Sequence, residues 1–385
     1  MKTYIKLISV GLVILISNNI VLGMIIPSVE EEREYVRKGQ KEWEIKRALS
    51  EKLFSWLSDV NDVAGEECDR LVDSLLTLPE PSIEAYFIAA QVAWLREKPK
   101  KAIAILEDAI RKYPDERDLI PSPTRIVGRF WIGTIARYSG DMAKAKNVYE
   151  TLLTMLESKE KIWSLEDHDV LTMMCNLYLA EIESLHLKRN DFALPRLEAI
   201  ERIKKPEGQL VVGYDIYKGW AQYQHTIISK GKAQATQQII MYPEMDSDIM
   251  RVAECQLMFC GISVSLLAYY QFSDKKDVIE RALFDRVIKS AVSPIERSLA
   301  RLIYGSAYQE KGHFAEAEKH YSALFEEDSY FSPVAGIYLA QCKKAQDKTA
   351  EAESILEKVR AKYPGYESAV TKLRESWKKE GESKK

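Results

Sequence analysis

The amino-acid sequence predicts an all-α protein that is built from consecutive pairs of helices. Glycine and proline, the residues that most often interrupt helices, number only 17 and 13 among 385 residues. Between Ser82 and Tyr113, apolar residues recur at intervals of three and four, which is the periodicity of a helix with one buried face. The length suits two or three ordinary domains or one elongated array, and a recurring spacing of side chains favours the array.

That spacing consists of steps of 12, 4 and 3 residues between small and large side chains, and it occurs four times. In each set, a small residue of one helix faces a small residue of the next, and a large residue one turn later fills the space between them. The sets are Ala90, Ala102, Leu106 and Ala109; Gly133, Ala145, Tyr149 and Leu152; Gly305, Ala317, Tyr321 and Leu324; and Ala340, Ala352, Leu356 and Val359. Pro114 and Pro364 end the first and last sets, because proline cannot continue a helix.

Turn residues mark the corner between the two helices of a pair. Gly140 and Gly312 occupy this corner in two sets, where glycine supplies the positive φ that ends a helix, and Asp347 has the same place in the last set. Ser293-Pro294-Ile295-Glu296 has the pattern of a capped helix start, and Ser332-Pro333 repeats its first half. Further corners are expected at Asn190-Asp191, Gly231-Lys232 and Asp274-Lys275.

These features resemble the tetratricopeptide repeat family, and the resemblance covers residues 82–365. It implies a right-handed α-solenoid of about seven or eight antiparallel helix pairs. Four units match the pattern well, and three weaker units lie between them. Most of the intervals between corners exceed the family period of about 34 residues, so helices or loops in the middle of the array are expected to be longer. Pro195 falls near the place where the third unit should have its small residue.

Residues 1–27 have the pattern of a signal peptide or an N-terminal membrane anchor. Two lysines precede an apolar run from Leu7 to Ile16, and Gly23 is small enough to precede a cleavage site. An uncleaved anchor is the alternative, because Leu7–Ile26 could just cross a bilayer, but Asn18 and Asn19 count against it. Both hypotheses predict export to the periplasm or cell envelope. Residues 28–81 are expected to form an N-terminal helical cap, and residues 366–385 a C-terminal capping helix with a polar tail.

The sequence gives no indication of catalysis, a cofactor or a metal site. A net charge of -3 argues against a nucleic-acid partner, which requires a basic face. The five cysteines are scattered without a C-x-x-C pair, so we expect buried thiols rather than disulfides or zinc ligands. Asp167-His168-Asp169 could suggest a metal, but its place just after Ser164 indicates the acidic first turn of a helix. We therefore expect a non-enzymatic protein.

The resemblance implies that the first helix of each pair lines a concave face that binds a protein or peptide segment. The expected groove residues are Phe87, Gln91, Trp94, Phe130, Thr134, Arg137, Leu302, Ser306, Gln309, Ile337, Gln341 and Lys344. The chain is accordingly predicted to be an interaction scaffold or assembly factor of the cell envelope, with no membrane contact other than an uncleaved anchor. A self-associating structural envelope protein is the alternative, and an enzyme acting on cell-wall glycans is a weaker one.

Overall fold

The computed structural model describes residues 40–49, 51–53, 55–56, 62–114, 124–158, 165–204, 214–239, 288 and 293–383. Every regular element in these segments is helical, and they contain no strand. The chain divides into two compact units, and of the described residues those up to His168 belong to the first and those from Asp169 onward to the second. The predicted all-α class is confirmed.

In the first unit, helices that follow one another in sequence pack against one another. Residues 40–49 are helical. The helices after them are α1 (Asp62–Leu76), α2 (Ile83–Leu95), α3 (Pro99–Lys112), α4 (Thr124–Tyr138) and α5 (Met142–Glu157). Each of α1 to α4 packs on the helix that follows it, as a helical repeat array requires.

The second unit has the same order of packing. Its helices are α6 (Leu165–Glu181), which begins in the first unit and continues as a π-helix (Ile182–His186), α7 (Asn190–Arg202), α8 (Tyr214–Lys230), α9 (Lys232–Gln237), α10 (Pro294–Glu310), α11 (Phe314–Glu326), α12 (Ser332–Ala345), α13 (Thr349–Lys362) and α14 (Glu367–Ser383). The π-helix packs on α7, α7 on α8 and α8 on α9, and helices α10 to α14 pack in sequence order.

The predicted packing of small against large residues is present, and the sizes compensate. A Cβ placed on Gly133 would lie 2.8 Å from a ring carbon of Tyr149, and one placed on Gly305 would overlap the ring of Tyr321. We call the large residue that fills the space between the two helices the wedge residue. Where the wedge residue is a leucine, as at Leu106 and Leu356, the small residue is alanine instead of glycine, at Ala90 and Ala340. All four of these residues are fully buried. Glycine therefore makes room for a tyrosine, and alanine suffices for a leucine.

The corners adopt the left-handed backbone that the glycines predict, but only some of them use glycine. Gly140 and Gly312 have φ values of 83° and 76°. Glu97, Lys188 and Asp347 adopt the same conformation at φ values of 61°, 57° and 62°. A side chain in this region costs about 1–2 kcal/mol. Packing of the two helices on either side of the corner must therefore offset the cost of the left-handed backbone at these residues.

The π-helix explains why the third repeat escapes the spacing search. At the regular corners, the backbone hydrogen bond that closes the turn joins residues five positions apart. Examples are the bonds from Asp141 N to Ala136 O and from His313 N to Tyr308 O. At the π-helix, the equivalent bond runs from Arg189 N to Glu183 O and spans six. One extra residue is thus accommodated, which is what a π-helical turn does. The first step of the repeat, from Ala180 to Ala193, becomes 13 instead of 12.

Three details of the helix boundaries differ from the predictions. Pro195 lies inside α7, and the buried small residue of this helix is Ala193, two positions before Pro195. Ser293 precedes α10 but its side chain makes no capping hydrogen bond. The Ser332 hydroxyl donates to the Leu324 carbonyl, at 2.7 Å, instead of capping its own helix. At Ser332, a hydrogen bond to the preceding helix therefore overrides the local capping pattern.

The two ends of the described chain are tied to their neighbours by polar contacts. Glu42, in the helix of residues 40–49, accepts hydrogen bonds from the backbone and side chain of Ser82 at 3.0 and 2.5 Å. At the other end, Arg374 of α14 pairs with Glu353 and Glu357 of α13 at 2.8 and 2.6 Å. Helix α14 continues to Ser383, so most of the expected polar tail is helical.

No helix in the described segments combines the length and apolar character that are needed to cross a bilayer. The expected signal or anchor in residues 1–27 lies outside the described residues, as does the Asp274-Lys275 corner.

We expect Gly305→Ala to lower the free energy of unfolding by about 1–3 kcal/mol, because its methyl group would overlap the Tyr321 ring. Adding Tyr321→Leu should recover part of this loss, since the double variant reproduces the alanine–leucine pairing of Ala340 and Leu356. Urea denaturation of the single and double variants, followed by circular dichroism, measures the coupling. Ser306→Ala on the same helix is the control, and purely additive effects would contradict the wedge interpretation.

Candidate partner-binding site

The structure places the expected groove residues of α2 and α4 in the interior of the first unit. All six of them, namely Phe87, Gln91, Trp94, Phe130, Thr134 and Arg137, are buried. Phe87 packs edge-on against Trp131 at 5.3 Å, and Trp94 packs edge-on against Tyr138 at 5.9 Å. The expected open surface is therefore not present at these positions, because their side chains fill space between helices. Whether they bind a partner stays a prediction.

The expected groove residues of α10 and α12 lie differently. Leu302 is fully buried, but Ser306, Gln309, Ile337, Gln341 and Lys344 are partly exposed. We call these five residues the C-terminal ridge. The two glutamines join neighbouring repeats, because the Gln309 amide nitrogen donates to the Gln341 side-chain oxygen at 3.4 Å. The buried Tyr321 hydroxyl donates to Gln309 at 3.0 Å, so the wedge residue of the repeat also orients the ridge.

The charge on the ridge comes from Lys344. Its neighbour Lys343 pairs with Glu318 at 2.8 Å and Glu351 at 3.0 Å, and hydrogen bonding to Glu318 raises the pKa of Lys343 above its ordinary value. Lys344 contacts the Thr349 hydroxyl at 3.2 Å and lies 5.6 Å from the centre of the Trp377 ring. The ridge thus offers two amides and one cation without a paired carboxylate among the described residues.

A cluster of four aromatic side chains in the second unit was not predicted from the sequence. Trp220 stacks on Phe331 at 5.9 Å and meets Tyr330 edge-on at 6.0 Å, and Tyr223 lies 5.9 Å from Tyr330. We call Trp220, Tyr223, Tyr330 and Phe331 the aromatic cluster. It joins α8 to the segment before α12, which is more than 100 residues later in sequence. No periodic pattern could have indicated this contact.

Asp328 ties this cluster to α13. Its backbone carbonyl accepts a hydrogen bond from the Tyr223 hydroxyl at 2.9 Å, and its carboxylate accepts one from Tyr363 at 3.0 Å. Lys362 pairs with the same carboxylate at 3.2 Å. Burial, with a smaller contribution from the Asp328 charge, raises the pKa of Tyr223 to about 12. Burial likewise raises the pKa of Tyr363.

Beside the aromatic cluster is a cleft of about 520 Å³. Polar residues of its wall include Glu201 of α7 and Gln222 and His225 of α8. The His225 ring nitrogen Nδ1 lies 3.0 Å from the Glu201 carboxylate. The Thr226 hydroxyl, also in the wall, donates to the Gln222 carbonyl at 2.9 Å and is thus engaged with the backbone. This wall can exchange hydrogen bonds with a polar ligand.

Within the described segments, no three His, Cys, Asp or Glu residues group closely enough to bind a metal ion. His168, of the Asp167-His168-Asp169 sequence, places its Nε2 2.9 Å from the Leu156 carbonyl. Cys68, Cys175 and Cys342 are buried thiols, and burial raises the pKa of Cys68 and Cys342 to about 12. Cys255 and Cys260 lie outside the described residues.

The packing in sequence order and the wedge geometry define an all-α helical-repeat protein. Family models described as tetratricopeptide repeat match residues 84–116 and 304–376. These two segments are therefore tetratricopeptide repeats, in agreement with the resemblance found in the sequence. Comparison with curated proteins finds no match. Repeats of this family generally mediate protein–protein interaction and are typically non-enzymatic, which indicates an interaction scaffold.

The raised pKa of Tyr223 predicts a loss of stability at alkaline pH. Because the fold favours the neutral phenol, its stabilisation is complete below the ordinary pKa of 10.0 and is lost as pH rises towards about 12. Tyr223→Phe cannot ionise, so between pH 10 and 12 it should lose on the order of 2 kcal/mol less stability than the parent. Urea denaturation across this range tests the difference, with Tyr308→Phe as a control at a half-exposed tyrosine. Equal losses in Tyr223→Phe and the parent would contradict the assignment.

Proposed function

We propose that this protein is an exported scaffold or assembly factor of the cell envelope, which binds a segment of another protein through the C-terminal ridge. The observation that carries the proposal is that the ridge lies on the first helices of two neighbouring repeats, inside the segment that matches the tetratricopeptide repeat model. This is the helix position that, by resemblance to the family, lines the partner-binding face.

The chemistry of the ridge suits a peptide with a nearby carboxylate. The side-chain amides of Gln309 and Gln341 present both donors and acceptors, which is what a peptide backbone needs in a partner. Lys344 supplies a cation that can pair with an acidic side chain. The half-buried Ile337 adds apolar contact between these polar groups. The hydrogen bonds from Tyr321 and between the two glutamines hold the ridge in one arrangement before a partner arrives.

The test begins with capture of proteins from the native envelope by the purified chain. Dissociation constants for the captured partner are then measured by calorimetry, with the parent and with a variant carrying Gln309→Ala, Gln341→Ala and Lys344→Glu. We expect binding to weaken by about tenfold or more, because residues at the centre of an interface each contribute on the order of 1–2 kcal/mol. All three side chains are partly exposed, so the fold should persist, which circular dichroism can check.

Lys319→Glu is the matched control, since Lys319 is an exposed cation on α11 of the same repeat, outside the ridge. Equal affinities for the parent and the ridge variant would refute binding through the ridge. A parent that retains no specific protein would count against the scaffold itself.

Export is tested separately. The pattern in residues 1–27 supports a cleaved signal, so the protein in fractionated cells should be found outside the cytoplasm and should begin just after Gly23. N-terminal sequencing gives the first residue, and removal of residues 1–27 should leave the protein in the cytoplasm. An exported protein that keeps its first residues would favour the anchor. A full-length chain that stays in the cytoplasm would refute both hypotheses.

A further inference from the structure

The corner between the π-helix and α7 exposes large apolar side chains. Leu185, Leu187 and Phe192 are 36%, 43% and 47% exposed. Within the described segments, one other large apolar residue, Val63, is comparably exposed, so three of the four lie within eight residues of one another. We call residues 185–192 the apolar corner. Clustering of exposed apolar residues marks an interaction site more strongly than isolated ones do.

The extra residue of the π-helix offers a physical reason for this exposure. Successive residues of a helix are about 100° apart around its axis, so one inserted residue turns the following side chains by that angle. Leu185 and Leu187 lie at and just after the π-helix. The backbone bonds from Leu187 N to Ile182 O, at 3.0 Å, and from Arg189 N to Glu183 O, at 2.8 Å, then fix the corner in this form.

The other corners of the chain provide an internal comparison. Counted from the residue with positive φ, the positions equivalent to Leu187 and Phe192 carry only polar residues in corners that close the same kind of turn. They are Arg96, Ser139, Lys311 and Gln346 for Leu187, and Lys101, Lys144, Glu316 and Glu351 for Phe192. The repeat fold therefore does not require leucine or phenylalanine at these two positions, and their side chains are accessible to a contact outside the repeat.

Cations accompany the apolar side chains. Lys188 and Arg189 are exposed, and the Arg189 guanidinium lies 3.6 Å from the centre of the Phe192 ring. The Glu183 carboxylate, which is 3.8 Å from Arg189, is almost completely buried and presents little negative charge outside. Asp191 is the single exposed acid between residues 185 and 192. The exposed charged side chains of the corner are thus two cations and one acid, beside the apolar groups.

We propose that the apolar corner inserts Leu185, Leu187 and Phe192 into the surface of an anionic phospholipid bilayer. Lys188 and Arg189 match the negative charge of such a surface, and apolar side chains beside cations are typical of segments that lie in the headgroup region. A stable protein interface buries about 800 Å² on each partner, far more than three partly exposed side chains can offer. A bilayer needs no matching surface, so it fits a small protruding corner better. This contact is independent of the C-terminal ridge and of residues 1–27.

A probe on the corner tests the proposal in the full chain, whether or not residues 1–27 also bind lipid. In a background with Cys255→Ser and Cys260→Ser, the variant Leu187→Cys carries an environment-sensitive fluorophore, and Lys348→Cys at a regular corner is the matched control. Vesicles of phosphatidylglycerol and phosphatidylcholine should shift the Leu187→Cys emission to the blue, and brominated acyl chains should quench it. The Lys348→Cys probe should not respond, and pure phosphatidylcholine should give a weaker response.

Reversal of charge by Lys188→Glu with Arg189→Glu should raise the lipid concentration at half-maximal shift by about tenfold or more, because each cation near an anionic surface favours binding. High salt should have the same effect on the parent. Both side chains are exposed, and unchanged circular dichroism verifies the fold.

The proposal fails if the Leu187→Cys probe stays in water on anionic vesicles, if both probes respond equally, or if charge reversal has no effect. A shift that lipid-free envelope proteins cause and vesicles do not would assign the corner to a protein partner and would also overturn it.

Discussion

The close approach of two helices at one small residue is the constraint on which each repeat depends. Helices joined by a short corner bury their apolar faces only when their backbones come near enough for a wedge side chain to contact both. Gly133 and Gly305 leave room for tyrosine rings, and the alanines at the corresponding places of other repeats leave room for leucine. Each pair meets this requirement with its own residues, so stability accumulates from one neighbour to the next. The wedge also reaches the surface, because the Tyr321 hydroxyl orients Gln309 of the ridge.

The parts of the fold that could be predicted are those that keep a constant helical register. The fixed steps of 12, 4 and 3 residues identified four repeats, because two α-helices joined by a corner of constant length bring residues 12 apart into contact. One extra residue in the π-helix changes that step, and the third repeat then resembles none of the others, although its packing residue Ala193 is as buried as those of the regular repeats. The aromatic cluster was beyond prediction for another reason. Trp220 and Phe331 are joined by tertiary structure alone, and no local pattern links them.

The sequence could predict which helix positions form the candidate site, but not whether the side chains at those positions are accessible. The resemblance gives the same helix face in every repeat, whereas exposure depends on what packs on that face. Phe87 and Trp94 contact aromatic rings of α4, the first helix of the next repeat, and are therefore buried. Residue type alone does not decide the matter, because Gln91 is polar and equally buried, while Gln309 and Gln341 remain accessible. The apolar corner was not predicted for the opposite reason. Leucines near a helix end are expected in the core from the sequence, whereas Leu185 and Leu187 are exposed.

The aromatic cluster and the C-terminal ridge are mechanically related. Tyr330 and Phe331 immediately precede α12, so the stacking of Trp220 on Phe331 fixes the place where that helix begins. Asp328 adds a second attachment through Tyr363 of α13. The ridge residues of α12 thus lie on a helix that is held at its start by α8 and along its length by α11 and α13. A binding surface on so constrained a helix loses little conformational freedom when a partner binds, which makes a rigid ridge a better receptor than a mobile loop of the same composition.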